Sequence, residues 1–327
     1  MTQLFINNLS SGGLITNYYC SSKCKHCLYA CSPKWDKEYI STELTSKIFK
    51  KIKKLNCHSI HIGGGEPFLD TGSLFKVLKI ADNENINIQY IETNSSWLKN
   101  ESESIDILKT LKKLNVNTLL ISISPFHNEH IPFYKVKELI KLCNKASINI
   151  FPWIQDFYKD ISYFDENKTH TLDEYKKQYG ENYIKNIPSR YWIHFGGRAN
   201  ELYKNIYDKK DINHILNTDL RCLELSDVSH FHIDLSGNYI PGLCSGFSIN
   251  FNDIGDYLDI NKYPFINNLY TGGIKSFLNI AKEKYGFIPE KKYLSKCDLC
   301  LDIRKFMVLK KGVNSIELQP FEFYKNL

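Results

Sequence analysis

The chain has 327 residues, 43% hydrophobic and 24% charged, with a formal net charge of +6, which is enough for one large α/β domain plus a small appendage. Lysines and acids are interleaved, so the positive excess reads as solvated helix surface and nucleic acid is not expected as a partner. No stretch reaches the apolar length of a membrane span, and MTQLFINNLSSGG lacks the basic-then-apolar order of a signal peptide, so no membrane is expected and the cytoplasm follows as location.

From residue 14 to about residue 197, strand-like and helix-like patterns alternate. LITNYYC reads as a strand ending at Cys20. STELTSKIFKKIKKLN reads as a helix with Ser41 or Thr42 at its cap and Leu44, Ile48, Ile52 and Leu55 on one face. CHSIHIGGGEP is a strand entering a glycine turn. LFKVLKIADN is a helix, INIQYIETN a strand, IDILKTLKKLN a helix, NTLLISIS a strand and VKELIKLCNKA a helix. INIFPWI is a fifth strand. TLDEYKKQYGENYIKNI is helical, and YWIHFGG supplies a sixth strand. Six β–α units predict a parallel sheet with helices outside, and ligands at the carboxyl ends of the strands. Those ends carry the cysteine loop, GGGEP, TNSS, SISPFHNEH, PWIQD and GGRAN. Beyond residues 205–220, VSHFHIDLSGNYIPGLCSG predicts a hairpin around Ser236-Gly237-Asn238. A helix, IKSFLNIAKEKYG, and a CDLC turn follow. The division is 1–210 and 211–327, and the second part has few apolar segments, so a bound metal or cluster would help to hold it.

Ten cysteines in such a chain point to metal or cluster ligation rather than to disulfides. Cys20, Cys24, Cys27 and Cys31 form one group; Cys244, Cys297 and Cys300, joined by Cys222, form another. Cys57 and Cys143 stand alone, Cys143 on an amphipathic pattern that reads as core. Cys20-x3-Cys24-x2-Cys27 offers three thiolates from one loop, suited to an iron–sulfur cluster with one iron left open. Cys31 as a fourth ligand would make a zinc site instead.

C-x3-C-x2-C after the first strand, with Gly64, Gly65, Glu66 and Pro67 after the second, resembles the radical S-adenosylmethionine (SAM) superfamily over residues 14–200. The resemblance implies a partial (β/α)6 barrel. It implies that Cys20, Cys24 and Cys27 hold a [4Fe–4S] cluster whose open iron chelates SAM. Gly64, Gly65 and Glu66 would meet the SAM amino group, and His26 the adenine. Asn94, Ser122 and Ser124 match strand ends that touch the ribose and carboxylate, and Arg198 would pair with the SAM carboxylate. An electron from a reductant such as flavodoxin or ferredoxin would then release a 5′-deoxyadenosyl radical that takes hydrogen from the substrate.

Cys222, Cys244, Cys297 and Cys300 resemble the twitch or SPASM-type C-terminal extension, with one auxiliary [4Fe–4S] cluster; four cysteines also suit structural zinc. CKHCLYACSP, GGGEPFLD and the final C-x2-C are similar to radical SAM peptide epimerases acting on ribosomally made peptides. Those relatives carry adjacent cysteines after the hairpin, whereas this chain has only Cys244. Either Cys244 ligates and the hydrogen donor lies elsewhere, with Cys31 a candidate, or the reaction is not epimerisation. His127, His130 and Trp153 are expected at the barrel mouth. With the cluster loop at residue 20, no peptide-recognition domain is expected ahead of it. The alternatives are a small-molecule substrate, such as a sugar or nucleoside, and a non-catalytic zinc-binding interaction protein.

Overall fold

The structure is a computed structural model describing residues 3–151, 155–218 and 221–327. Strands β1 (Gly12–Ile15), β2 (Ser59–Gly63), β3 (Asn87–Thr93), β4 (Thr118–Ile121) and β5 (Asn149–Ile150) lie parallel in the order β5-β4-β3-β2-β1. Helices α1 (Thr42–Lys54), α2 (Thr71–Asn83), α3 (Glu101–Lys113), α4 (Pro125–Asn128) and α5 (Phe133–Ala146) connect them. Three of the crossover helices, α1, α2 and α3, start at a side-chain cap. Ser41 accepts from Leu44 N, Asp70 from Ser73 N and Asn100 from Glu103 N, which satisfies amide groups that a helix start leaves free.

Both faces of the parallel strands are covered, and they differ in chemistry. Leu14, Ile60, Ile62, Ile88, Ile91, Leu119 and Ile121 belong to the main core with Ile48, Phe49, Leu74, Leu78, Leu108 and Leu111 of the helices. Cys143 is buried in the same core. The alternate residues Gly13, His61, Tyr90, Glu92, Leu120 and Ser122 face the lumen, as the period of two requires.

The chain then runs through α6 (Gln155–Ser162), α7 (Leu172–Tyr179), α8 (Tyr183–Arg190) and α9 (Gly197–Tyr203). The sixth strand expected at YWIHFGG is not formed: residues 191–196 are a loop. At its end Gly197 has φ 53°, and a Cβ there would stand 2.2 Å from the Leu28 carbonyl oxygen. The glycine pair therefore turns the chain against the cysteine loop instead of extending it. The first strand is also shorter than LITNYYC. Asn17 donates to the Tyr19 and Glu66 carbonyls, so its side chain supports a turn where a strand would need the ladder. Trp153 lies outside the described residues.

Beyond α9 come β6 (Lys210–Asp211) and α10 (Ile212–Thr218), then β7 (Phe231–Asp234), which pairs parallel with β1 on its free edge. β8 (Asn238–Ile240) and β9 (Ile249–Asn250) follow antiparallel, completing an eight-stranded sheet. The hairpin turns at Ser236 and Gly237 as the sequence predicts. The residues after 211 are thus built onto the edge of the barrel sheet. The kinked helix α11 (Pro264–Tyr285) leads to β10 (Lys292–Tyr293), antiparallel to β6, and then to α12 (Lys296–Lys305) and α13 (Phe321–Lys325). Among the described residues no helix is long and apolar enough to cross a membrane.

Asp234 ties these parts together. Fully buried, its carboxylate accepts from Tyr18 Oη at 2.9 Å and from the amides of Ser236 and Asn238 at 2.9 Å each. Asp234→Ala leaves these donors buried and unmatched, so unfolding free energy should fall by about 3 kcal/mol in denaturant titration.

Candidate active site

The loop after β1 carries Cys20, Cys24 and Cys27 along one wall of a cavity of about 360 Å³. The same cavity is lined by His26, Gly64, Gly65, Asn94, Ser122 and Arg198. Nine of the residues singled out in the barrel sequence therefore converge. Two do not line it, and each has another task. Glu66 is fully buried and its carboxylate accepts from Asn94 N at 2.6 Å, Thr93 Oγ1 at 3.0 Å and Phe68 N at 3.2 Å. It braces the ends of β2 and β3. Ser124 caps α4 and contacts His127 Nδ1 at 2.8 Å.

The glycine turn is pressed against the cysteine loop. Gly65 N donates to Asn17 O at 2.7 Å and Glu66 N to Tyr19 O at 3.1 Å. A Cβ on Gly65 would stand 2.0 Å from the Tyr19 carbonyl oxygen, so only glycine allows the approach. Arg198 closes the loop from the other side. Its Nε donates to Cys24 O at 2.9 Å, Nη2 to Cys31 O at 2.6 Å and Nη1 to Asn326 O at 3.1 Å. All three are backbone carbonyls, so the fork expected to bind a carboxylate is engaged with the loop.

The thiols sit in opposed fields. Burial pushes Cys20 up to about 12 and Cys24 well above the usual thiol range, while Arg198 pulls both down. Cys27 is held low, chiefly by a hydrogen bond from the Cys31 thiol. Asn94 Nδ2 and Ser22 N each approach Cys20 Sγ at 3.4 Å as donors. Hydrogen bonds of this kind support a ligating thiolate. His26 stacks on Phe126 with ring centroids 4.6 Å apart, and its buried Nδ1 has no partner. Burial, His127 and Arg198 keep the ring neutral. The cavity also contains Tyr29, Tyr90, Glu92, His127, Tyr191, Trp192, His194, His230 and His232. Of these only His127 was read from the sequence. The usable signal was polarity inside parallel strands: Tyr90 and Glu92 alternate on β3, where a buried strand should be apolar throughout. Burial by the cavity walls, and then the charge of Cys27, raises Glu92 to about 7.

The second cysteine group also assembles. Cys222 precedes the short helical turn Leu223–Ser226, and Cys244 follows that of Pro241–Leu243. A Cβ on Gly242 would stand 2.0 Å from the Glu224 carbonyl oxygen, so the two turns meet backbone to backbone. Cys297 and Cys300 are not in a turn, as CDLC predicts, but in the first coils of α12, three apart on one face. Burial raises Cys222 and Cys244, and the neighbouring thiols of the group raise them further. Arg304 lies buried beside them. It donates to the Ser245 carbonyl at 2.9 Å and to Tyr324 Oη at 3.2 Å, stacks over Phe247 at 4.3 Å, and leaves Nε without a partner.

Residues 14–154 match the model of the Radical SAM superfamily. This stretch, somewhat less than half of the chain, is a radical SAM domain. No curated protein matches it. The crystal structure of Streptococcus suis SuiB bound to S-adenosylmethionine is similar over 73% of this chain and 61% of its own, at 14% identity and TM-score 0.36. This chain thus spans about three fifths of that protein's length. BtrN in complex with AdoMet and 2-DOIA is similar over 84% of this chain and 91% of its own, at 14% identity and TM-score 0.46. Native anSMEcpe with bound AdoMet and Cp18Cys peptide is similar over 92% and 97%, at 14% identity and TM-score 0.41.

The superfamily implies a [4Fe–4S] cluster and SAM, and the donor set fits them. Sulfurs sharing one tetrahedral zinc stand roughly 3.8 Å apart. Among the described residues no three cysteine sulfurs lie within 4.8 Å of one another. Three thiols from one loop suit a cluster that leaves one iron open.

Glu66 carries a measurable signature. Burial raises its carboxyl from 4.5 to about 7, against its hydrogen bonds. The unfolded chain therefore loses this proton first, and stability falls as pH rises from about 4.5 to 7, by up to about 3 kcal/mol. In cluster-free protein Glu66→Gln should flatten that decline relative to wild type; equal slopes would contradict the raised Glu66 carboxyl.

Proposed function

We propose that Cys20, Cys24 and Cys27 hold the SAM-binding [4Fe–4S] cluster, with His26, Gly64, Gly65, Asn94 and Ser122 around SAM, and that the substrate is a ribosomally made peptide. The bound cofactors supply reductive cleavage of SAM and a 5′-deoxyadenosyl radical that removes a hydrogen atom. The chain's own part is to fix the thiols, exclude water and aim the substrate. The observation that carries the reading is the convergence of three thiols, the glycine turn and His26 on one cavity. Glu66 and Arg198 serve that cavity through the loop: one fixes the strand ends, the other the cysteine carbonyls and the local positive field.

The same proposal makes Cys222, Cys244, Cys297 and Cys300 the ligands of an auxiliary [4Fe–4S] cluster, within the part from 211 to 327. Four gathered thiols and a buried arginine without a carboxylate partner support it, because a thiolate cluster is the anion that such a cation lacks. If Cys244 is a ligand, the hydrogen donor is another cysteine. Cys31 fits: it lines the substrate cavity, with its Sγ 3.4 Å from the Gly64 carbonyl oxygen. A thiol there can return a hydrogen atom to a peptide Cα, which is epimerisation. Trp192, 65% exposed on the cavity lining, offers an aromatic anchor for a peptide.

Anaerobic reconstitution with SAM and dithionite should yield 5′-deoxyadenosine, and Cys24→Ala should abolish it. Cys31→Ala should keep that cleavage but lose deuterium incorporation into the peptide product in D2O. Cys297→Ala with Cys300→Ala should lower the iron content, leave SAM cleavage measurable and stop product formation. Turnover of a sugar or nucleoside but no peptide encoded nearby would replace the peptide reading with the small-molecule one.

A further inference from the structure

Two imidazoles lie inside the sheet where parallel strands normally place apolar side chains. His61 of β2 is 1% exposed and His232 of β7 is 6% exposed. Their Nε2 atoms meet at 3.1 Å. Gly13 of β1, paired with both residues, leaves the space for this meeting: a Cβ there would stand 2.3 Å from His61 Nε2 and 2.9 Å from His232 Cδ2. His230, exposed just before β7, stacks on His61 with ring centroids 5.2 Å apart. One nitrogen from each of the three rings falls within 4.8 Å of the others. Glu92 Oε1 lies 3.8 Å from His61 Nε2.

We propose that His61, His230 and His232, with Glu92 beside them, form a divalent transition-metal site in the barrel lumen. Two nitrogens that share a metal at about 2.1 Å stand roughly 3.0 to 3.4 Å apart, for octahedral to tetrahedral angles. The observed Nε2 separation falls in that range. Without a metal, one imidazole must carry its proton on Nε2 and the other on Nδ1, and each Nδ1 is buried without a hydrogen-bond partner. Two buried imidazoles in one unpaired contact are a poor use of polar groups. A cation on both Nε2 atoms makes the two tautomers alike, each with its proton on Nδ1. For His61 the Gly12 carbonyl lies close enough to favour that proton, although no well-formed hydrogen bond is made. Burial holds both rings neutral, His61 down to about 3, and neutral imidazole is the ligating form.

Three imidazoles and a carboxylate suit zinc or ferrous iron rather than magnesium or calcium. His230, His232 and Glu92 also line the cavity that the cysteine loop closes. Any free coordination position therefore faces the substrate cavity, and the ligand class it takes is a carbonyl or carboxylate oxygen.

The test uses untagged, cluster-loaded protein, treated with a chelator and titrated anaerobically with Zn(II), with zinc and iron measured after gel filtration. About one zinc per chain should be retained. His230→Ala, on an exposed side chain, should weaken zinc binding by about tenfold or more without changing iron content. His61→Asn with His232→Asn should remove it, and Cys297→Ala with Cys300→Ala should leave it intact. Co(II) in place of zinc should give a spectrum without thiolate charge transfer. The proposal fails if no zinc is retained, if His230→Ala binds as wild type does, or if the zinc leaves with the cysteines. Should the double histidine variant not fold, His230→Ala decides alone. Zinc binding is read independently of SAM cleavage, so either assignment can fail without the other.

Discussion

The site depends on how one irregular loop is held by its carbonyl groups. From Thr16 to Ser32 the chain has little regular structure, yet it must keep three thiols at fixed points. The carbonyls of Asn17 and Tyr19 accept from the glycine turn, and those of Cys24 and Cys31 accept from Arg198. A buried carbonyl without a partner is costly. The loop is therefore stable only where the glycine turn and α9 are both in place. Its cysteines are free thiols, which is the condition for binding a cluster.

The two cysteine groups repeat one electrostatic arrangement. Each has a buried arginine whose partners in the chain are neutral: carbonyls for Arg198, a carbonyl, a hydroxyl and a ring for Arg304. A buried guanidinium normally finds a carboxylate. Here the negative charge has to come from thiolates, and the arginines in turn lower the cost of ionising buried cysteines. This balance explains why burial raises most of these thiols while an adjacent cation opposes the rise. With a cluster at each end, as proposed, the thiolates rather than a side-chain carboxylate would complete the charge balance.

Much of this was legible in the sequence because it rests on local pattern. The helices α1, α2, α3 and α5 follow from periodicity, α1 also from its cap, and the cysteine spacing with GGEP singled out the cavity. What was not legible depends on contacts distant along the chain. YWIHFGG has the apolar alternation of a strand, but Gly197 meets the Leu28 carbonyl and turns the chain away. Glu66 and Arg198 carry the right charge for a ligand, yet their hydrogen bonds go to partners such as Asn94 and Cys31, which no spacing rule reveals. His61 and His232 stand 171 positions apart, and only the pairing of β1 with both β2 and β7 brings them together.

That pairing has a consequence for how the two ends of the chain act on each other. β7 pairs along the edge of β1 opposite β2, and β1 runs directly into the cysteine loop. β7 also runs through Asp234 and β8 to Cys244. The route from one cysteine group to the other is thus two adjacent strands and a hairpin, with Asp234 bonded to Tyr18 of the loop on one side and to the hairpin amides on the other. Rigid strands transmit position better than loops do. In this fold β7 of the C-terminal part extends the sheet beyond β1, and Asp234 ties its hairpin to the first cysteine loop.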